Sequence, residues 1–86
     1  MAYYMAFGSN GVIVVNSWGR VLNTRKYLTG NNNRKYDTYR EAEKAALEHL
    51  RDIAPEYLTI PDHLVLNRMV TLNQLNEEYL RKEEKQ

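Results

Sequence analysis

The sequence predicts an α+β fold, in which a small N-terminal antiparallel sheet of three strands packs against two C-terminal helices. Three observations carry this prediction. Runs rich in β-branched and aromatic residues flank a glycine-containing turn near the N-terminus. A capped amphipathic pattern predicts a helix over residues 38–54, and a second apolar stripe predicts another over residues 61–82. The 86 residues suit one domain, 1–86, with a modest core.

The first 36 residues are basic and rich in β-forming residues. Residues 2–7 (AYYMAF) and 12–16 (VIVVN) predict two strands of a hairpin, because residues 8–11 (GSNG) have the composition of a turn. A loop at residues 30–33 then leads into a short strand at residues 34–36. The order strand, turn, strand indicates an antiparallel sheet.

Residues 17–29 fit two interpretations. In the first, Trp18 and Gly19 form a second turn and residues 20–28 form the third strand of a meander. In the second, Ser17 caps a short helix. Neither the alternation of a strand nor the spacing of a helix is regular here. We favour the strand, and the helix stays open as the alternative.

The helix at residues 38–54 has the clearest boundaries in the chain. Thr38 and Glu41 form a capping box, and Pro55 ends the run because proline lacks a backbone N–H. Apolar residues at three- and four-residue spacing define the face that we expect to be buried: Tyr39, Ala42, Ala46, Leu50 and Ile53.

The second predicted helix begins at Pro61, since proline suits the first turn of a helix. Thr71 and Gln74 form another possible capping box, at which the helix would restart. Its apolar stripe consists of Val65, Met69, Leu72, Leu75 and Tyr79. The stripe predicts either packing against the sheet or a seam for a protein partner or a second copy.

Composition and motifs argue against an enzyme. The chain has no cysteine, and its two histidines, His49 and His63, lie in predicted helices without a neighbouring nucleophile. Metal-ligand spacings and phosphate-binding loops are absent from the sequence. We therefore expect a non-catalytic protein without cofactor or metal. With no signal-like segment and no apolar run of membrane-spanning length, we expect it in the cytoplasm and not in a membrane.

Charge is distributed unevenly along the chain. Residues 1–40 carry six basic residues and one acidic residue, a net charge of +5, whereas residues 41–86 carry six basic and ten acidic residues, a net charge of −4. Such a polarised field can steer an anionic partner to one face of a protein. A solvated surface without a partner is the alternative explanation.

Aromatic and basic residues interleave in the N-terminal half. This combination suits nucleic acid, because rings stack on bases or sugars while cations neutralise phosphates. Tryptophan is usually largely buried in a small domain, which favours a core position for Trp18 over an exposed one. The candidate nucleic-acid-binding residues are Tyr4, Trp18, Arg20, Arg25, Lys26, Arg34 and Lys35.

The order of these residues resembles a known family over residues 3–47. The matching residues are Tyr3-Tyr4, Gly11-Val12-Ile13, Ser17-Trp18, Gly30, Arg34-Lys35-Tyr36, Thr38 and Glu41-Ala42. They are similar to the N-terminal hybrid-binding (viroplasmin-like) domain of eukaryotic-type ribonucleases H. The resemblance implies a small three-stranded antiparallel sheet with packed helices, which binds RNA–DNA hybrid or double-stranded RNA without catalysis.

By position, the resemblance implies aromatic contacts from Tyr4 and Trp18 and phosphate contacts from Arg34 and Lys35. The chain departs from the family in its first turn, residues 8–11, which lacks the family's basic charge. The family also has a helix between Trp18 and Gly30, where the residues present here match poorly. Residues 55–86 lie outside the pattern.

Two functions follow as hypotheses. The first is a non-catalytic protein that binds double-stranded nucleic acid, either RNA–DNA hybrid or duplex, through its basic aromatic half. The second is a protein-interaction module, for example a phage-type regulator or inhibitor of a larger host enzyme, which would use the sheet face or the second predicted helix.

Overall fold

Four strands and three helices make up the fold in a computed structural model of the chain. The structure describes residues 2–30, 32–57 and 59–84, and it describes side chains as far as Glu78. The elements in chain order are β1 (Tyr3–Gly8), β2 (Gly11–Val15), α1 (Trp18–Thr24) followed by a 3-10 turn (Arg25–Tyr27), β3 (Asn32–Tyr36), α2 (Tyr39–Ile53), β4 (Val70–Thr71) and α3 (Leu72–Glu84). The α+β class is confirmed. The antiparallel sheet has four strands in the order β3-β1-β2-β4, where three were predicted.

β1 is a central strand that pairs with two neighbours. The predicted hairpin joins it to β2, with Tyr4 opposite Val15 and Gly8 opposite Gly11. On its other side β1 pairs with β3, and Tyr4 lies opposite Lys35. β3 begins at Asn32, earlier than predicted, and Asn31 of the predicted loop lies outside the described residues.

Each face of the sheet has its own apolar core, since successive residues of a strand point to opposite faces. On the first face α2 packs against the strands, and the buried residues there include Met5, Val12, Val14, Ala42, Ala46, Leu47 and Leu50. On the second face α1 covers the sheet, and the buried residues are Ala6, Ile13, Val15, Val21 and Leu28. Because both faces are covered, β2 is buried at every position and is apolar throughout.

Residues 18–27 are helical, so the favoured strand at residues 20–28 is wrong and the alternative, a helix capped by Ser17, is confirmed. The Ser17 hydroxyl oxygen accepts a hydrogen bond from the Arg20 N–H at 3.3 Å. Val21 is the buried residue of α1 and packs on the second face of the sheet. A helix with one buried side chain shows no apolar period, which explains why its sequence pattern is irregular.

α2 confirms the helix predicted at residues 38–54. The Thr38 hydroxyl oxygen accepts a hydrogen bond from the Glu41 N–H at 3.2 Å, and the helix ends at Ile53, shortly before Pro55. Ala42, Ala46 and Leu50 of the predicted face are fully buried, while Tyr39 and Ile53 pack partly buried against the same core.

The second predicted helix begins later than expected. Residues 62–69 contain a bend and a turn but no helix, and α3 starts at Leu72, within the Thr71–Gln74 capping box. That box is reciprocal: the Thr71 N–H donates to the Gln74 side-chain oxygen at 3.1 Å, and the Gln74 N–H donates to the Thr71 hydroxyl oxygen at 3.3 Å.

Two features keep the segment before α3 out of a helix. Asn67 has a φ of 65°, a left-handed conformation that interrupts a right-handed helix. Its N–H also donates to the Val14 carbonyl at 2.8 Å, which ties the segment to the sheet before β4 pairs with β2. Within the predicted stripe, Leu75 is buried and Val65 is exposed, whereas the side chain of Tyr79 lies outside the described part.

Candidate nucleic-acid interface

Four of the predicted residues come together on the second face of the sheet. Tyr4 of β1 and Trp18 of α1 meet edge to face, with ring centroids 5.7 Å apart and an interplanar angle of 61°. The Arg25 Cζ atom lies 5.6 Å from the centroid of the Trp18 ring. Lys35 of β3 is the cross-strand partner of Tyr4, so it lies on the same face. We call Tyr4, Trp18, Arg25 and Lys35 the aromatic–basic cluster.

The turn from β2 into α1 builds this cluster. The capped helix starts directly after Ser17 and places Trp18 in its first turn. Arg25 follows Trp18 by seven residues, which is close to two helical turns, and therefore lies on the same side of the helical segment. Burial of Val21 within α1, and of Leu28 directly after the 3-10 turn, holds this segment on the sheet.

Trp18 is 45% exposed, so the expectation that it belongs to the core is wrong. The core position under α1 is filled by Val21, which is fully buried. Trp18 lies three residues before Val21 and outside the buried core, where it contacts Tyr4 and Arg25. A large aromatic ring beside a cation is thereby left accessible to a ligand.

Arg25 lacks an acidic partner among the described residues, where it contacts the Trp18 ring. Its Nε atom is buried and makes no hydrogen bond there. The indole face attracts the guanidinium through its quadrupole. The charge of Arg25 is therefore held by an aromatic contact and is not neutralised by a carboxylate of the described chain.

The other three candidates lie apart from the cluster. Arg20 follows Trp18 by two residues, and residues at that spacing do not face each other on a helix. The Lys26 Nζ atom lies 5.2 Å from the centroid of the Tyr27 ring. Arg34 is opposite Met5 in the β1–β3 pair, which places it on the α2 face of the sheet. Arg34 and Lys35 are thus neighbours in sequence that serve opposite faces.

Two further large side chains of the helical segment, Leu22 and Tyr27, are exposed, although neither was among the predicted residues. Leu22 follows Trp18 by one helical turn, and Tyr27 lies in the 3-10 turn. The four-residue spacing of Trp18 and Leu22 is a helical signal, and it would have identified Leu22 had the helix been favoured over the strand.

A concave surface lies between residues 59–70 and α3, away from the residues of the aromatic–basic cluster. It is a groove of about 520 Å³, lined by Thr59, Pro61, His63, Leu64, Val65, Arg68, Met69, Val70, Gln74, Leu75, Glu77 and Glu78. Val65, 46% exposed, gives it an accessible apolar wall, and Arg68, Glu77 and Glu78 are its charged lining residues. This groove belongs to the region of the second predicted helix.

The described residues contain no group of three His, Asp or Glu side chains arranged to hold a metal ion. None of the helices, searched over the same residues, combines the length and apolar character needed to cross a bilayer.

Comparison with protein families, with curated proteins and with solved structures finds no match to this chain.

Proposed function

We propose that this protein is a non-catalytic binder of double-stranded nucleic acid, RNA–DNA hybrid or duplex, and that it binds through the aromatic–basic cluster. The observation that carries the proposal is the exposed Trp18 ring, in contact with Tyr4 and Arg25. Cations on one face that no carboxylate of the described residues neutralises suit a polyanion, and an exposed aromatic ring beside them can hold a guanidinium in place.

The charge distribution supports the same face. The cluster draws both of its cations from residues 1–40, which carry a net charge of +5. Lys35 contributes one of them from the edge strand β3, and the pairing of β3 with β1 places it opposite Tyr4. A duplex presents phosphates in regular rows, and fixed cations on one face match such rows.

The adjacent residues Arg34 and Lys35 supply a matched test. Both are exposed and positively charged, but only Lys35 lies on the face of the cluster. Lys35→Ala should weaken binding and reduce the slope of log K against log salt by about one ion, whereas Arg34→Ala should leave both nearly unchanged. Fluorescence anisotropy with labelled hybrid, double-stranded RNA and DNA, at low and moderate salt, measures both quantities.

Two results would overturn the proposal. Failure of the folded wild-type protein to bind any of the three duplexes at low salt would exclude nucleic-acid binding. Equal losses from Arg34→Ala and Lys35→Ala would exclude the cluster as the interface, because a general charge effect would then account for the binding.

A protein-interaction module is the second candidate function, and the groove beside α3 favours it. Its apolar wall at Val65 and its carboxylates at Glu77 and Glu78 suit a basic, amphipathic segment of a protein partner. A second copy of this chain, or a host enzyme regulated by a phage-type protein, would be such a partner. Cross-linking in a host lysate, with Val65→Glu as the disabled variant and Lys35→Ala as control, tests this candidate. A partner lost only with Val65→Glu would support it.

A further inference from the structure

We infer that Trp18 is a positioning residue, which holds the Arg25 guanidinium for a backbone phosphate and does not itself stack on a base. The inference rests on the proposed function and names the part of the nucleic acid that the site recognises. It would make the ligand of this site the phosphodiester backbone, whatever the base sequence.

The position of the Arg25 guanidinium over the Trp18 ring supports this inference. With its Cζ atom 5.6 Å from the ring centroid, Arg25 occupies space over the indole that a stacking base would need. Tyr4 contacts the Trp18 ring edge to face, which further reduces the ring surface open to a base. The aromatic surface is therefore already engaged within the protein, by a group whose own chemistry suits phosphate.

The hydrogen-bonding state of Arg25 is the second argument. Its Nε atom is buried without a partner, so the donors left for a ligand are those of the two terminal nitrogens. A planar guanidinium whose orientation is set by an aromatic ring loses little freedom when it binds, and a phosphate oxygen pair matches its fork of donors. With no acidic partner among the described residues, its charge is available.

The position of Lys35 is the third argument. As the cross-strand partner of Tyr4, it adds a second cation on the face that carries Arg25 and Trp18. The Lys35 ammonium is a point charge that suits a phosphate, as does the donor fork of Arg25, so the pair favours contacts to the charged backbone over contacts to base edges. The structure thus assigns the cluster to positioning on the duplex and not to sequence readout.

A double-mutant cycle tests the inference, since coupled residues lose less together than the product of their single losses. The variants are Trp18→Leu, Arg25→Gln and their combination, each checked for folding by circular dichroism. We expect Arg25→Gln to lower the salt slope by about one ion. Trp18→Leu should weaken binding about two- to fivefold, the effect of losing an exposed cation–π contact, and should add nothing in the Arg25→Gln background. Trp18→Phe should restore most of the affinity.

Intrinsic fluorescence gives an independent test on the wild-type protein, because Trp18 is its single tryptophan. We expect a normal duplex and one containing abasic positions to bind with equal affinity and to change the emission equally. Stronger binding and stronger quenching by the intact bases would overturn the inference, as would fully multiplicative losses in the mutant cycle. With either of these results the wild-type protein still binds the duplex. Failure of the proposed function is a different result, in which the wild-type protein binds no duplex.

Discussion

The carboxylate of Glu43 accepts a hydrogen bond from the backbone N–H of Leu64 at 3.1 Å. Tyr39, one turn earlier on α2, donates its hydroxyl to the carbonyl of the same Leu64. The Leu64 side chain is buried in the core between α2 and the sheet. Two side chains of one helix therefore hold both backbone groups of a single residue in the non-helical segment that leads to β4.

Removal of the Tyr39 hydroxyl should destabilise the fold. Tyr39→Phe leaves the Leu64 carbonyl without its donor in a partly buried position, which should cost about 1–2 kcal/mol of unfolding free energy. Urea denaturation measures the change. Tyr36→Phe is the control, because Tyr36 packs half-buried on the same core and its hydroxyl makes no hydrogen bond within the described residues. Equal losses from the two variants would contradict the role of this bond.

Alkaline pH should weaken the same contact. Burial raises the pKa of the Tyr39 hydroxyl above its ordinary value of 10.0, and the negative charge of Glu43 raises the pKa further. The folded state thus keeps this proton when the unfolded chain has released it. The contribution of the contact to stability is complete below pH 10.0 and is lost as the pH rises through the folded-state pKa. The difference in unfolding free energy between wild type and Tyr39→Phe should shrink over that range. A difference in unfolding free energy that stays constant with pH would contradict the raised pKa of Tyr39.

Loss of the α2 cap should destabilise the protein by about 0.5–2 kcal/mol, because Thr38→Ala leaves the Glu41 N–H without its acceptor. Thermal and urea unfolding measure the change. Thr38→Ser keeps the hydroxyl and should retain most of the stability. If serine proves as damaging as alanine, the methyl group of Thr38 matters and the cap does not.

Two glycines should respond to alanine in opposite directions. A Cβ atom on Gly11 would lie 2.5 Å from the Val70 carbonyl oxygen, so Gly11→Ala should push β4 away from β2 and destabilise the fold by about 1–3 kcal/mol. A Cβ atom on Gly19 would meet nothing within 4 Å, so Gly19→Ala in α1 should stabilise it by about 0.5–1 kcal/mol. Unfolding curves of both variants give the comparison. A neutral Gly11→Ala would show that β4 is dispensable.

Local sequence signals predicted the hairpin and α2, and they marked the capping box at which α3 starts as a possible restart of a helix predicted from Pro61. In each case a short pattern has a local cause: the turn residues at 8–11, the hydroxyl of Thr38 three residues before Glu41, and the pair Thr71 and Gln74. These interactions form between residues a few positions apart, so their geometry is set by the chain itself. Tyr4, Arg25 and Lys35 were likewise identified as candidate residues from their chemistry alone.

The arrangement of the site needed the tertiary structure. Residue types in the sequence showed a basic half with interleaved aromatic rings, but Arg34 and Lys35 look equivalent there, and only the β1–β3 register separates them onto opposite faces. The sequence determined the class of the fold and the capped helix α2, through local hydrogen bonds and the apolar period of α2. The burial of Val21 against the sheet decided that residues 18–24 are helical and that Trp18 is exposed, since this contact joins residues distant in the chain. Burial and register are properties of the packed molecule, and for that reason no local pattern contains them.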